Sequence, residues 1–210
     1  MSHTLKYSYT LLAPIYDAIV DSPTRATRHQ SLTQLNDVTA QTILLCGVGS
    51  GLDFPHLPLG ANYVGIDLTP AMLKRAHQRL TPRLSTKLHQ GDVMQLPYPN
   101  ACYDQIIMHL ILSVVPEPQR ALNEAMRVVK AGGKIIILDK FLRAGQHAPI
   151  RRLINPLISK IATRTDVVFE SLQRPVEVTL LSDKPALLNG WFRYIVLEKT
   201  VVHNDISTNE

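Results

Sequence analysis

Two cysteines, one tryptophan and four phenylalanines are few for a chain of 210 residues. Cys46 and Cys102 stand in apolar contexts without Cys-x-x-Cys spacing, which argues against a disulfide framework and points to buried thiols of a reducing compartment. The eight histidines are scattered and never form His-Glu-x-x-His, so no metal site is expected. No apolar run is long enough to span a bilayer. Residues 1–9 lack a charged stretch followed by an apolar one, so no leader is expected and a cytoplasmic location is the default. There is no internal repeat, and the length suits one domain over residues 1–210.

Acidic residues are missing from one stretch. Between Lys140 and Arg164 lie six basic side chains and no Asp or Glu. Taking those six away from the net charge of +5 leaves −1, so the basic character of the chain resides in this segment. Ile150, Leu153, Ile154, Leu157, Ile158 and Ile161 fall on one helical face there, although Pro156 must bend any continuous helix. Residues 140–165 therefore read as a basic amphipathic insert. It is either a membrane-surface or partner-binding element, or a core-facing helix with a wet cationic side.

The chain is organised around Ile43-Leu44-Leu45-Cys46-Gly47-Val48-Gly49-Ser50-Gly51-Leu52-Asp53. An apolar run ends in three alternating glycines, which reads as a buried strand, a turn and then a short helix up to Pro58. A dinucleotide fingerprint needs Gly-x-Gly-x-x-Gly, and Leu52 and Phe54 occupy the positions where the third glycine would stand. Sixteen residues after Gly51, a second strand pattern ends in Asp67, where a carboxylate can accept both hydroxyl protons of a ribose. Thr69 then suits a helix N-cap and Pro70 the first helical position, with the helix running to Leu80.

Further strands are expected over residues 84–89, 103–110 and 134–139, with an amphipathic helix over 119–130 that ends at Ala131-Gly132-Gly133. Strands alternating with helices imply a parallel sheet covered on both faces. Residues 176–181 and 191–199 are joined by a turn and should pair antiparallel. Residues 23–37 look helical and mostly polar, and residues 7–20 are aromatic and apolar around Pro14.

The glycine segment, Gly65-Ile66-Asp67-Leu68-Thr69-Pro70-Ala71-Met72-Leu73 and Gln90-Gly91-Asp92-Val93-Met94-Gln95-Leu96-Pro97 resemble, in order, three motifs of the class I S-adenosylmethionine-dependent methyltransferases. The resemblance is specific over about residues 10–140 and loose beyond. It implies an α/β, Rossmann-like fold with a seven-stranded, mostly parallel sheet, an antiparallel last strand and helices on both faces. It implies S-adenosylmethionine as cofactor, held by Cys46, Gly47, Gly49, Gly51, Asp67, Leu68, Met72, Asp92, Val93 and His109. It also implies that residues 1–37 form a lid, in which Tyr16 either touches the cofactor or packs in the core. The family usually has an acid two residues before the first glycine, and this chain has Leu45.

His109, at the end of the fourth strand, is the imidazole placed where an acceptor should sit, as a general base or as a lining residue. The resemblance is strongest to bacterial phospholipid N-methyltransferases, with quinone methyltransferases next. A lipid headgroup at an anionic surface would suit Tyr9, Arg143, Arg151 and Arg152, and a peripheral position on the inner membrane face would follow. The amino-methylating Asn/Asp-Pro-Pro-aromatic pattern is absent after the fourth strand and no stacking platform is visible, so a nucleic acid partner is not expected. Two rivals stand beside this reading: an NAD-linked oxidoreductase, and a cofactor-binding subunit that transfers nothing.

Overall fold

The computed structural model describes residues 22–35, 37–142, 167–187 and 190–201. Tyr9 and Tyr16 of the expected lid, the basic insert with Arg143, Arg151 and Arg152, and the polar tail lie outside them.

Seven strands form one sheet: β1 (Thr42–Cys46), β2 (Asn62–Asp67), β3 (Ser85–Gln90), β4 (Tyr103–His109), β5 (Val129–Lys140), β6 (Val178–Leu187) and β7 (Phe192–Lys199). Their order is β3-β2-β1-β4-β5-β7-β6. The first five run parallel, and β7 pairs antiparallel with both β5 and β6. The order in which strands are added to the sheet reverses between β1 and β4, which sit side by side, and open α/β sheets bind ligands at such a reversal point.

Residues 42–46 and 103–109 are almost wholly buried, as central strands of a sheet covered on both faces should be. One face carries Leu44, Ile66, Ile106, Met108, Ile135 and Ile137. Helix α3 (Pro118–Val128) lies over that cluster and buries Ala121, Leu122, Ala125, Met126 and Val128 at helical spacing. A fully buried leucine such as Leu122 contributes roughly 1.5–3 kcal/mol. The opposite face carries Ile43, Leu45, Tyr63, Ile107 and Ile136, and Leu32, Leu35 and Ala76 pack there. Ala76 comes from α2 (Pro70–Arg79), and Leu32 ends a helix over residues 22–32, here α1.

Three local expectations need correction. The glycine turn leads into a single 3-10 turn, Phe54–His56, in place of an α-helix, with Pro55 inside it and Pro58 just beyond. Thr69 stands at the N-cap of α2 but its side chain makes no capping bond; Asp67 Oδ1 instead accepts the Thr69 N–H at 2.8 Å. Helix α3 ends at Val128, and β5 starts at Val129. Val129 pairs with Tyr103 and Lys134 with Gln105, so Ala131-Gly132-Gly133 forms an irregularity inside the strand element. No helix among the described residues is long and apolar enough to cross a membrane.

Candidate active site

A crevice opens at the carboxyl ends of β1, β2 and β4. Its lining includes Gly47, Val48, Gly49, Ser50, Asp67, Leu68, Thr69, Met72, Asp92, Val93 and His109, together with Arg28, Asp53 and the segment after β4. Eight of the sequence-expected cofactor residues thus meet in one place: Gly47, Gly49, Asp67, Leu68, Met72, Asp92, Val93 and His109. Cys46 and Gly51 do not line it. The Cys46 thiol belongs to the apolar core cluster, where burial pushes its pKa far up.

The turn is built for backbone exposure. Gly47 and Gly49 both have positive φ, +71° and +57°. A Cβ at Gly47 would stand 2.5 Å from Ile111 Cδ1, so this glycine makes room for the segment after β4. A Cβ at Gly49 would meet only the Gly47 carbonyl, at 3.9 Å, and would otherwise project into open space. Gly49 is thus a place where bare main chain forms the wall of the crevice.

Asp67 ties this turn to β2. Its Oδ2 accepts the Gly49 N–H at 2.9 Å, while Oδ1 holds the Thr69 N–H. Burial raises the Asp67 pKa, and the bonds from Thr69 and Gly49 only partly offset it. Each oxygen keeps a lone pair for a further donor such as a ribose hydroxyl. Asp92 is fixed by the Met94 N–H at 2.9 Å, an Asx-type turn that presents Val93 to the crevice. Arg127 braces the same loop from outside, donating to the carbonyls of Leu96 (3.0 Å) and Tyr98 (2.8 Å) and to Glu124.

At the other end stands a polar cluster that the sequence did not reveal. Arg28 of α1 donates from Nη1 to Asp53 Oδ1 at 3.1 Å and from Nε to Thr24 Oγ1 at 3.0 Å. His109 places Nδ1 3.0 Å from the same Asp53 oxygen and Nε2 3.0 Å from Ser31 Oγ. Burial pushes the Asp53 carboxyl up, but His109 and Arg28 more than reverse this and hold it well below the ordinary carboxylate range. Against an ionised Asp53, His109 Nδ1 is the donor, and Nε2 is engaged by the Ser31 hydroxyl. The His109 side chain is 1 % exposed. The sequence signal for this cluster was thin: Asp53 follows the glycine turn directly, while nothing about Arg28 or Ser31 distinguished them on a polar helix.

The crevice wall after β4 is apolar, with Leu110, Ile111, Val114 and Val115. Leu110 has φ +55°, and its N–H is held by the Leu138 carbonyl at 2.8 Å. Asp139, wholly buried, accepts the Ser113 N–H at 3.0 Å and so anchors this segment to β5.

The residues fit the cofactor that the motifs imply. A bare main-chain wall at Gly49, a carboxylate at the end of β2 and a second acidic turn at Asp92 converge on one crevice. A family model described as a methyltransferase domain matches residues 44–137. A phosphatidylethanolamine N-methyltransferase of Cereibacter sphaeroides is 25% identical over 88% of this chain and 93% of its own length. A demethylmenaquinone methyltransferase of Renibacterium salmoninarum is 30% identical over 61% of this chain, which spans 55% of that relative. A chain from the Haloferax volcanii complex between the Trm112 methyltransferase activator and a methyltransferase shares the fold, with a TM-score of 0.77, 15% identity and coverage of 95% of this chain and 99% of that one. Ordered motifs, sheet order and crevice agree with these likenesses: the chain belongs to the class I S-adenosylmethionine-dependent methyltransferases.

Proposed function

We propose that this methyltransferase acts on a small or lipid-like acceptor, with a phospholipid amine headgroup as the first choice. The observation that carries this choice is coverage. The likeness to the phosphatidylethanolamine N-methyltransferase runs along 88% of this chain and 93% of that relative. A quinone-type acceptor is the second reading, supported by the shorter match to the demethylmenaquinone methyltransferase. The apolar wall of Leu110, Ile111, Val114 and Val115 suits an acceptor with a hydrocarbon body under either reading.

S-adenosylmethionine supplies a methyl group already activated by its cationic sulfur. Asp67 accepts the ribose hydroxyls, Asp92 and Val93 bracket the adenine, and Leu68 and Met72 close the apolar side of that end. The wall after β4 keeps water from the line of approach. His109 has both ring nitrogens engaged and its side chain buried, so of the two roles open to it from sequence, general base or lining residue, it takes the second and holds the crevice together. The chain's contribution is then orientation, which can supply on the order of 7–11 kcal/mol. Arg143, Arg151 and Arg152 remain the proposed contacts to an anionic membrane surface.

The test is incubation of the protein with methyl-labelled S-adenosylmethionine and vesicles containing phosphatidylethanolamine, with a demethylated quinone in a parallel reaction. Label in N-methylated phospholipid supports the first reading. Label only in the quinone overturns it in favour of the second.

A further inference from the structure

Helix α1 buries an unusual stripe. Thr24, Thr27, Arg28 and Ser31 are inside, in line with Leu32 and Leu35, at helical spacing. Buried polar groups are costly unless bonded, and Arg28 and Asp53 are only 6% and 5% exposed. Their ion pair is nevertheless incomplete. An Arg–carboxylate pair that served structure alone would tend to be a two-bond fork. Here a single bond joins Nη1 to Oδ1, and His109 shares that same oxygen. Among the described residues Arg28 Nη2 and Asp53 Oδ2 make no hydrogen bond, while both residues line the crevice. A half-used cation and a half-used anion, side by side, complement a ligand group that carries both charges.

The rest of the crevice says which way such a group would point. Asp67, Asp92 and Val93 line the end assigned above to the nucleoside, and Gly49 and Arg28 of α1 line the same crevice, so a cofactor seated that way would carry its tail past Gly49 toward α1. We propose that Arg28 and Asp53 form the receptor for the zwitterionic amino-acid end of S-adenosylmethionine, Arg28 taking the α-carboxylate and Asp53 the α-ammonium. His109 and Ser31 are positioning residues that hold the Asp53 carboxylate in place. This rests on the assignment of the nucleoside to the Asp67 end. It also accounts for Leu45, where the family resemblance expects an acid. That side chain is 1% exposed in the core cluster with Ile43 and Ile107, and the carboxylate arrives from the far side of the glycine turn instead.

The test is calorimetric and needs no turnover. Two probes are titrated: S-adenosylhomocysteine, and 5′-methylthioadenosine, which keeps the nucleoside and sulfur but lacks the amino acid. Arg28→Met and Asp53→Asn should each weaken S-adenosylhomocysteine binding about tenfold or more, as loss of a charge-assisted bond does, and leave methylthioadenosine within about twofold. Arg28→Lys should recover part of the loss. Ser31→Ala should show the same selectivity with a smaller effect. A variant-free arm guards against misfolding: the wild-type protein should bind decarboxylated S-adenosylhomocysteine about tenfold more weakly than the parent. Equal losses on both probes, or no loss on either, would overturn the receptor. Wild-type protein that binds neither probe would instead overturn the cofactor site itself.

Discussion

Replacing Gly47 and Gly49 one at a time by alanine separates stability from binding within a single turn. Both residues have left-handed φ, and an L side chain in that region costs roughly 1–2 kcal/mol. For Gly49→Ala that is the whole penalty to the fold, because the new methyl meets only the Gly47 carbonyl at 3.9 Å. For Gly47→Ala the methyl is driven to 2.5 Å from Ile111 Cδ1 and 3.1 Å from Ile111 Cβ. Overpacking of this kind adds about 1–3 kcal/mol, for a total of roughly 2–5. At roughly 2–4 °C per kcal/mol, melting temperatures should fall by about 2–8 °C for Gly49→Ala and by about twice as much for Gly47→Ala. Binding should follow a different order. The Gly49 methyl projects into the crevice, so S-adenosylhomocysteine affinity should drop about tenfold or more although the protein stays folded. Thermal melts without ligand and calorimetry with it make the comparison. Equal destabilisation of the two variants, or wild-type affinity in Gly49→Ala, would mean that the crevice wall is not the bare main chain described here.

Asp53→Asn should cost about 3 kcal/mol or more at pH 7, because it leaves the buried Arg28 cation without its anion. The folded Asp53 pKa is depressed, so its stabilisation is fully present above the unfolded value near 4 and is lost as pH falls through the folded one. The stability gap between wild type and variant in urea titrations should therefore be constant from pH 7 to about 5 and narrow only below about 4; a gap that closes by pH 6 would remove the carboxylate from this account. Arg127→Lys gives up a planar fork that holds the Leu96 and Tyr98 carbonyls and Glu124. It should loosen the Asp92 loop and raise the dissociation constant of S-adenosylhomocysteine several-fold at a cost near 1 kcal/mol in stability, and calorimetry showing unchanged affinity would mean that the loop does not depend on this brace.

What the sequence revealed here was periodic or punctuated. The apolar run of β1, the alternating glycines, and Asp67 at its distance from Gly51 each carry a local signature. The helical spacing of Leu122, Ala125 and Met126 likewise announced α3. Boundaries were read less well where local and tertiary preferences compete: Gly132-Gly133 looks like a helix stop, yet the chain has already joined the sheet at Val129. The Arg28–Asp53–His109–Ser31 cluster was illegible for a different reason. Its hydrogen bonds join residues 25, 56 and 78 positions apart, and the buried stripe of α1 is polar, so no hydrophobic periodicity marks it. His109 drew attention as a lone imidazole at a strand end, but only the folded chain reveals that both its nitrogens are occupied.

Leu110 is a joint under tension. A branched side chain is held in a left-handed turn between β4 and the apolar wall, where glycine would relax the backbone by roughly 1–2 kcal/mol. Glycine would also remove a hydrophobic face from the crevice. The chain sacrifices some conformational ease for a rigid, greasy stretch of crevice wall. Relaxing Leu110 would reshape the wall after β4, and its N–H bond to the Leu138 carbonyl would carry that change into β5.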